Sequence, residues 1–174
     1  MKKIAVDMDE VLADYTGKVI RVLTEESGYE VDLEKIKGKF LSQSLPIEHL
    51  ERVTDFPYRP GFFRDLEPIE YSREVLAELN RYYEVFIVTA ATRYVHSLKD
   101  KMEWLEEHFP FISHEQVVLC GNKSIISTDY LIDDHPKHLA VFSGKPILFT
   151  AFHNIYEERF DRVNNWLEVR ELFL

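Results

Sequence analysis

The chain has 174 residues, 45% hydrophobic and 30% charged, which is the composition of an ordinary globular protein with one sizeable core. Its formal net charge of −10 would repel a phosphate backbone, so a nucleic-acid polymer is not an expected partner. A single cysteine excludes an internal disulfide and a cysteine-built zinc site, and no apolar run approaches the roughly 20 residues of a membrane span.

Five short apolar runs are predicted to form strands buried on both faces of a parallel sheet, because β-branched and aromatic residues dominate them. In chain order they are Ile4–Val6, Val85–Val88, Val117–Leu119, Tyr130–Ile132 and Ile147–Phe149. Two amphipathic stretches between them are predicted helices: Ser72–Tyr83, with Val75, Leu76 and Leu79 on one face, and Ser97–His108, with Leu98, Met102, Trp104 and Leu105. The alternation predicts an α/β sandwich of three layers with right-handed crossovers.

The interval between the first and second predicted strands is longer than one crossover helix requires. Its surplus is predicted to be helical from Gly17 to Glu26 and again around Pro46 to Asp55, since a plain loop of this length is uncommon. We therefore predict a core formed by residues 1–15 and 65–174, with residues 16–64 inserted as a small helical cap over the active site. The alternative is a helical extension that has no role in gating.

A pair of carboxylates follows the first predicted strand in Asp7-Met8-Asp9. One carboxylate can attack phosphorus to give an aspartyl phosphate, which divides a difficult hydrolysis into two steps. A second carboxylate two residues later can protonate the leaving alkoxide and then deprotonate water. Two solvated acids in a turn are the alternative, but the position directly after an apolar strand favours a phosphatase motif.

Three further polar features follow later strands. Thr89 could donate to a phosphate oxygen beside a helix N-terminus, although threonine often simply caps a helix. Lys123 could neutralise phosphate, although most lysines are merely solvated. Asp133-Asp134 would repel each other without a cation and, with Asp7, would offer the oxygen ligands that Mg²⁺ prefers; capping the next helix is the alternative. Because ligands bind at the carboxyl edge of such sheets, we expect one shared site.

The order Asp-x-Asp, Thr, Lys, Asp-Asp resembles the haloacid dehalogenase (HAD) superfamily of phosphotransferases. Longer blocks are similar to the 5'(3')-deoxyribonucleotidases. These blocks are Asp7–Asp14, Pro60–Pro68, Leu131–Asp134, and Ile147–Thr150 with His153-Asn154. The resemblance covers most of the chain and implies a HAD-like core with a Mg²⁺ cofactor.

The resemblance also implies roles for the acidic residues. Asp7 would be the nucleophile and a magnesium ligand. Asp9 would be the general acid and base and would bind the metal through its backbone carbonyl. Asp134 would be a direct metal ligand, with Asp133 supporting it.

For the substrate, the resemblance implies that Thr89, Lys123 and the Ala90 backbone hold the phosphate. Tyr15, Phe40 and Leu41 would pack against nucleobase and sugar, and core packing within the cap is the alternative for the two aromatic residues. Two residues depart from the family pattern. Glu10 stands where many relatives have glycine, and Ala90 stands where the vertebrate enzymes have serine.

The sequence therefore predicts Mg²⁺-dependent hydrolysis of 5'(3')-(deoxy)ribonucleoside monophosphates to nucleoside and phosphate through an aspartyl phosphate. The same chemistry on another small phosphomonoester, such as a sugar phosphate, is the first rival. A non-catalytic nucleotide- or phosphate-sensing module is the second, and the presence of Asp9 argues against it. Because Met1-Lys2-Lys3 does not resemble the start of a signal peptide, we expect a cytoplasmic protein. No membrane partner is expected, and a homodimer is left open.

Overall fold

One six-stranded parallel sheet organises the computed structural model, which describes residues 1–174. Its strands are β1 (Lys3–Val6), β2 (Glu84–Thr89), β3 (Val117–Leu119), β4 (Tyr130–Asp133), β5 (Lys145–Phe149) and β6 (Asp161–Val163). They lie in the order β3-β2-β1-β4-β5-β6, and every neighbouring pair is parallel. The predicted α/β class is therefore confirmed.

Helices fill the connections between the strands. They are α1 (Tyr15–Ser27), α2 (Ile47–Asp55), α3 (Ser72–Leu79), α4 (Val95–His108), α5 (Pro136–Leu139) and α6 (Trp166–Phe173). Short 3₁₀ helices occupy Leu41–Gln43, Phe56–Tyr58, His114–Gln116, Lys123–Ile125 and Phe152–Asn154. All five predicted strands and all four predicted helices are present, whereas β6, α5 and α6 are additional.

Alternation along the strands divides the core between the two faces of the sheet. Ile4 and Val6 of β1 belong to a cluster of 28 buried residues that also contains Trp104 and Trp166. Ala5, between them in sequence, belongs to a cluster of 7 residues on the opposite face. The strands are thus covered on both sides, as their near-continuous apolar runs predict.

The face of α4 that turns inward differs from the prediction. Trp104 and Leu105 are buried, but Leu98 is 45% exposed. Asp100 and Lys101 are buried in its place, and Lys101 is only 1% exposed. The buried face of this helix therefore includes polar residues, because Lys101 contacts the polar side chains of Asp9 and Thr89.

The segment predicted to form a cap shares the larger hydrophobic cluster with the sheet. Val19 and Leu23 of α1 and Val53 of α2 lie in the same cluster as Ile4. Because the apolar packing is continuous, the proposed boundary between residues 16–64 and the remainder stays a prediction. None of the helices is both long and apolar enough to cross a membrane.

The strand order places a crevice between β1 and β4. The chain leaves β1 towards β2 on one side, and β4 lies on the other, so the crossover direction reverses at this point. Ligands bind at such a reversal, outside the carboxyl ends of the strands. Asp7 follows β1 directly and Asp133 ends β4, which brings the predicted acidic residues to this crevice.

Candidate active site

The first acidic residue is fixed by an extension of the sheet. The backbone N–H of Asp7 donates to the carbonyl of Ile132 at 2.9 Å, so pairing with β4 continues one residue beyond β1. The chain then turns tightly, because the N–H groups of Leu12 and Ala13 both donate to the carbonyl of Met8, at 2.8 and 3.0 Å. The chain therefore leaves the strand direction after Asp7, and Asp7 and Asp9 line the same cavity.

Glu10 occupies this turn in a left-handed backbone conformation, with φ of 63°. Residues other than glycine rarely adopt this conformation, which agrees with the glycine that the family resemblance implies at this position. The Glu10 carboxylate accepts a hydrogen bond from the Thr16 N–H at 2.6 Å, at the start of α1. Burial raises the pKa of Glu10 to about 7, although the Thr16 hydrogen bond opposes the shift.

Two substitutions of Glu10 isolate the cost of this conformation. Glu10→Ala and Glu10→Gly both remove the carboxylate and its hydrogen bond, but only glycine relieves the positive φ. We expect the glycine variant to be more stable than the alanine variant by about 1 kcal/mol. Urea unfolding of the two proteins measures the difference directly. Equal stabilities, or a more stable alanine variant, would contradict a strained Glu10 backbone.

Lys123 connects the ends of β1 and β4. Its ammonium nitrogen lies 2.7 Å from Asp7 Oδ1 and 2.6 Å from Asp133 Oδ2, and the side chain is only 1% exposed. Burial alone would lower the pKa of Lys123, but the charges of Asp7 and Asp133 raise it above its ordinary value. The lysine is therefore a fixed cation directly beside the predicted nucleophile.

Three buried carboxylates form a group that could hold a metal ion. Asp7, Asp133 and Asp134 each offer one oxygen, and these oxygens lie within 4.8 Å of one another. Burial raises the pKa of Asp134 well above its ordinary value, and the neighbouring charges of Asp7 and Asp133 raise it further. A group of oxygen donors that repel one another in this way fits a hard divalent cation such as Mg²⁺.

Asp133 and Asp134 differ in their surroundings although they are adjacent. Burial acts to raise the pKa of Asp133, but the hydrogen bond from His138 and the charge of Lys123 hold it below its ordinary value. His138 Nδ1 lies 3.1 Å from Asp133 Oδ2. Asp134 has no lysine partner, and the nearest side-chain base, His153 Nε2, is 3.4 Å from its Oδ2. Asp133 is thus engaged by Lys123 and His138, whereas Asp134 remains available for a metal.

The second acidic residue of the motif belongs to a separate polar network. Lys101 Nζ donates to Asp9 Oδ2 at 2.6 Å and to Thr89 Oγ1 at 2.9 Å. Thr89 is 1% exposed at the end of β2, and Asp9 Oδ1 is buried without a hydrogen-bond partner. No role was predicted for Lys101, because a lysine between Asp100 and Met102 on a helix belongs to no recognisable motif.

A cavity of about 520 Å³ opens above these groups. Of the residues singled out in the sequence, its lining contains Asp7, Asp9, Tyr15, Phe40, Leu41, Ala90, Lys123 and Asp134. Thr89 and Asp133 do not line the cavity. Thr89 is connected to the cavity residue Asp9 through Lys101, and Asp133 contacts the cavity residue Lys123. A cavity of about 580 Å³ elsewhere shares Glu10 but none of the predicted site residues, and the smaller cavity is therefore the candidate active site.

The aromatic residues predicted to contact a base line the cavity, Phe40 from within the predicted cap segment and Tyr15 from the position directly before it. Tyr15 stacks on Phe63, with ring centroids 5.8 Å apart and planes 23° apart. Phe40 stacks on His153 at 4.4 Å and 14°, and Phe40 remains 41% exposed. His153 also lies 3.1 Å from the carbonyl of Asp134. The cap segment and the loop that carries the metal-binding candidate thus meet at this stack.

Some residues of the cavity were not identified in the sequence. Among them are His135, His138, Arg93 and Tyr94, and His153 was quoted only as part of a similar block. Arg93 is exposed at the wall, and its guanidinium lies 5.5 Å from the Tyr94 ring centroid. Isolated histidines and arginines carry no spacing signal, so only their position shortly after a strand end could have indicated them.

Comparisons with known proteins identify the family of this chain. The family model described as "5' nucleotidase, deoxy (Pyrimidine), cytosolic type C protein" matches residues 1–174. The chain is 43% identical to the 5'(3')-deoxyribonucleotidase of Bacillus subtilis (strain 168) over 176 residues, covering 100% of both chains. It is also 46% identical over 172 residues to a relative from Staphylococcus epidermidis, covering 99% of this chain and 96% of the relative.

Solved structures with the same fold are more distant in sequence. A HAD family hydrolase from Deinococcus radiodurans R1 superposes with a TM-score of 0.64 at 14% identity, covering 99% of this chain and 94% of its own. A haloacid dehalogenase-like protein of unknown function from Agrobacterium tumefaciens has a TM-score of 0.61 at 16% identity, covering 99% and 97%. These similarities show a HAD-like fold.

Proposed function

The chain belongs to the family of 5' nucleotidase, deoxy (pyrimidine), cytosolic type C proteins, and from this premise we propose that it hydrolyses 5'(3')-deoxyribonucleoside monophosphates through an aspartyl phosphate. Family membership makes it a phosphoric monoester hydrolase of the HAD superfamily. The observation that carries the mechanism is the position of Asp7. Its carboxylate is buried beside the Lys123 ammonium and lines the same cavity as Asp9.

The two acidic residues divide the chemistry between them. A carboxylate oxygen of Asp7 forms a bond to phosphorus while the ester P–O bond breaks, and Asp9 gives its proton to the leaving alkoxide to release the nucleoside. Water then attacks the same phosphorus and returns a proton to Asp9. The bond between phosphorus and Asp7 breaks, which releases inorganic phosphate and restores the carboxylate.

The surrounding cations stabilise the charge that moves during transfer. Lys123 is held by Asp7 and Asp133, so it can contact a transferring phosphoryl oxygen without a change of position. Thr89 and the Ala90 backbone are proposed to complete the phosphate site. Asp7, Asp134 and the Asp9 carbonyl would hold Mg²⁺, with Asp133 supporting, and the metal would supply further charge neutralisation for the transferring group.

Tyr15 and the cap segment are proposed to recognise the nucleoside. Tyr15, Phe40 and Leu41 line the same cavity as the carboxylates and Lys123. Tyr15 and Phe40 present aromatic surface that suits a planar base. Closure of this segment over the cavity would exclude bulk water during transfer. A cytoplasmic location and a homodimer remain predictions of the sequence.

A substrate panel tests the proposed function. We expect phosphate release from deoxyuridine and thymidine monophosphates to exceed release from ribonucleotides and sugar phosphates in kcat/KM, because only nucleotides can use the aromatic wall. Activity should disappear with a chelator and return with Mg²⁺. Better turnover of sugar phosphates would replace the substrate class while keeping the chemistry. Nucleotide binding without any phosphate release would support a sensing module.

A further inference from the structure

Lys101 is a buried lysine that takes no part in the proposed mechanism of Asp7 and Asp9. It lies on α4, its side chain is 1% exposed, and it is among the largest fully buried side chains of the protein. Lysine is almost never buried unless its charge is paired. Its partners are Asp9 Oδ2 at 2.6 Å and Thr89 Oγ1 at 2.9 Å, and the ammonium also lies 4.8 Å from the Phe63 ring centroid.

The contact with Asp9 distinguishes the two oxygens of that carboxylate. Oδ2 is occupied by the Lys101 ammonium, whereas Oδ1 is buried and has no hydrogen-bond partner. Rotation of the carboxylate about its terminal bond would break a short, charge-assisted hydrogen bond. Lys101 therefore fixes the orientation of the carboxylate of Asp9, whose side chain is 30% exposed and lines the cavity.

The contact with Thr89 fixes the direction of a second donor. A lysine ammonium can only donate, so the Thr89 oxygen must be the acceptor in this hydrogen bond. The hydroxyl hydrogen of Thr89 is consequently directed elsewhere and remains available to an acceptor such as a phosphate oxygen. One cation thus sets the orientation of two polar groups that come from different strand ends.

The two buried lysines serve different carboxylates. Lys123 contacts Asp7 and Asp133, whereas Lys101 contacts Asp9 and Thr89. We propose that Lys101 is a positioning residue for the general acid and base, which holds the Asp9 carboxylate at the cavity wall for proton transfer to the leaving oxygen and which leaves the Thr89 hydroxyl hydrogen free for the phosphate. This inference rests on the proposed function, because it assigns how Asp9 is prepared for proton transfer.

Lys101→Met tests the proposal through the leaving group. Deoxyuridine release requires protonation of an alkoxide, whereas p-nitrophenolate leaves phosphorus without a proton. We expect kcat for deoxyuridine monophosphate to fall by about 10²-fold with little change in KM. With p-nitrophenyl phosphate, formation of the aspartyl phosphate should remain fast. Its hydrolysis, which needs Asp9 to activate water, should be slow. Rapid mixing should then show a burst of about one p-nitrophenolate per enzyme followed by slow turnover.

Lys99→Met is the matched control. It lies two residues earlier on α4, its side chain is 79% exposed, and it pairs at 3.5 Å with Glu103 on the same helix. We expect wild-type kinetics with both substrates. Lys101→Arg retains a cationic donor and should keep more deoxyuridine monophosphate turnover than Lys101→Met. If the methionine variant does not fold, the two leaving groups are compared in the arginine variant. Its donor is displaced from the lysine position, so hydrolysis of deoxyuridine monophosphate should still be slowed more than the p-nitrophenolate burst.

Three outcomes would overturn the positioning role. The first is that Lys101→Met slows nucleotide cleavage and the p-nitrophenolate burst equally. The second is that KM rises while kcat is unchanged. The third is that the kinetics are unchanged and only stability is lost, as expected for an ion pair that serves the core alone. Failure of the proposed function gives a different result, since the wild-type enzyme would then release no phosphate from deoxyuridine monophosphate. If Asp9→Asn also lacks a burst, the covalent step fails independently of Lys101.

Discussion

Replacing Asp7 with asparagine should reduce kcat to the detection limit, a loss on the order of 10⁵-fold or more, because the nucleophile is removed. The fold should survive this change. Burial raises the pKa of Asp7, with repulsion from Asp133 and Asp9 adding to the shift and Lys123 opposing it. A neutral amide removes that repulsion, and Lys123 retains Asp133 at 2.6 Å. We therefore expect thermal stability in the absence of metal to be equal to or above that of the wild type.

The combination of lost activity and retained stability is the informative result. Phosphate release and thermal unfolding are measured on the same samples, with Asp161→Asn as the control for an exposed aspartate. Asp161 pairs with Lys145 at the surface at 3.0 Å, and such pairs contribute little. That variant should keep wild-type activity. Wild-type-like phosphate release by Asp7→Asn would remove the covalent mechanism, whereas unfolding of Asp7→Asn would contradict the electrostatic account of the carboxylate group.

The strands and the acidic motif could be predicted because their signals are local. Asp7 and Asp133 each end a run of buried apolar residues, and the parallel sheet then brings such ends together. The edge strand β6 (Asp161–Val163) gave no such signal, since only Val163 among its three residues is buried. A short edge strand has too few apolar residues to be distinguished from a loop.

The positions of charged side chains on helices could not be predicted in the same way. Lys101 belongs to a helix whose other lysine, Lys99, is exposed, and the sequence does not distinguish the two. The distinction arises only when α4 packs beside the turn that carries Asp9. Leu98 shows the converse error, because an apolar residue at helical spacing from Met102 remains 45% exposed. Contacts between distant segments decide both cases.

Lys123→Met should have the largest effect on stability. The ammonium is the shared partner of Asp7 and Asp133, and Asp133 is 0% exposed. Removal of one partner from a buried ion pair typically costs about 3–5 kcal/mol, because the remaining charges stay buried without compensation. Turnover should be lost as well. Urea unfolding with a chelator present measures the stability without a contribution from bound metal.

Lys145→Met is the surface control, since Lys145 is half exposed and its pair with Asp161 should contribute about 0–1 kcal/mol. A double variant, Lys123→Met with Asp133→Asn, should recover part of the loss, because the asparagine no longer carries the unpaired charge. His138 would keep a hydrogen-bond partner at that position. Recovery would show that the cost arises from the charge and not from lost packing of the lysine stem.

The stability that Lys123 contributes should depend on pH. In the wild type, Lys123 stabilises the folded protein at neutral pH, because Asp7 and Asp133 raise its pKa although burial opposes this. The lysine remains charged when pH falls, so its contribution decreases only as its carboxylate partners take up protons. In Lys123→Met those carboxylates lack a cation and bind protons more readily. The stability difference between the two proteins should therefore be largest near about pH 7 and shrink towards about pH 5. A difference that stayed constant over this range would assign the loss to packing, and one no larger than that of Lys145→Met would contradict a structural role for the buried lysine.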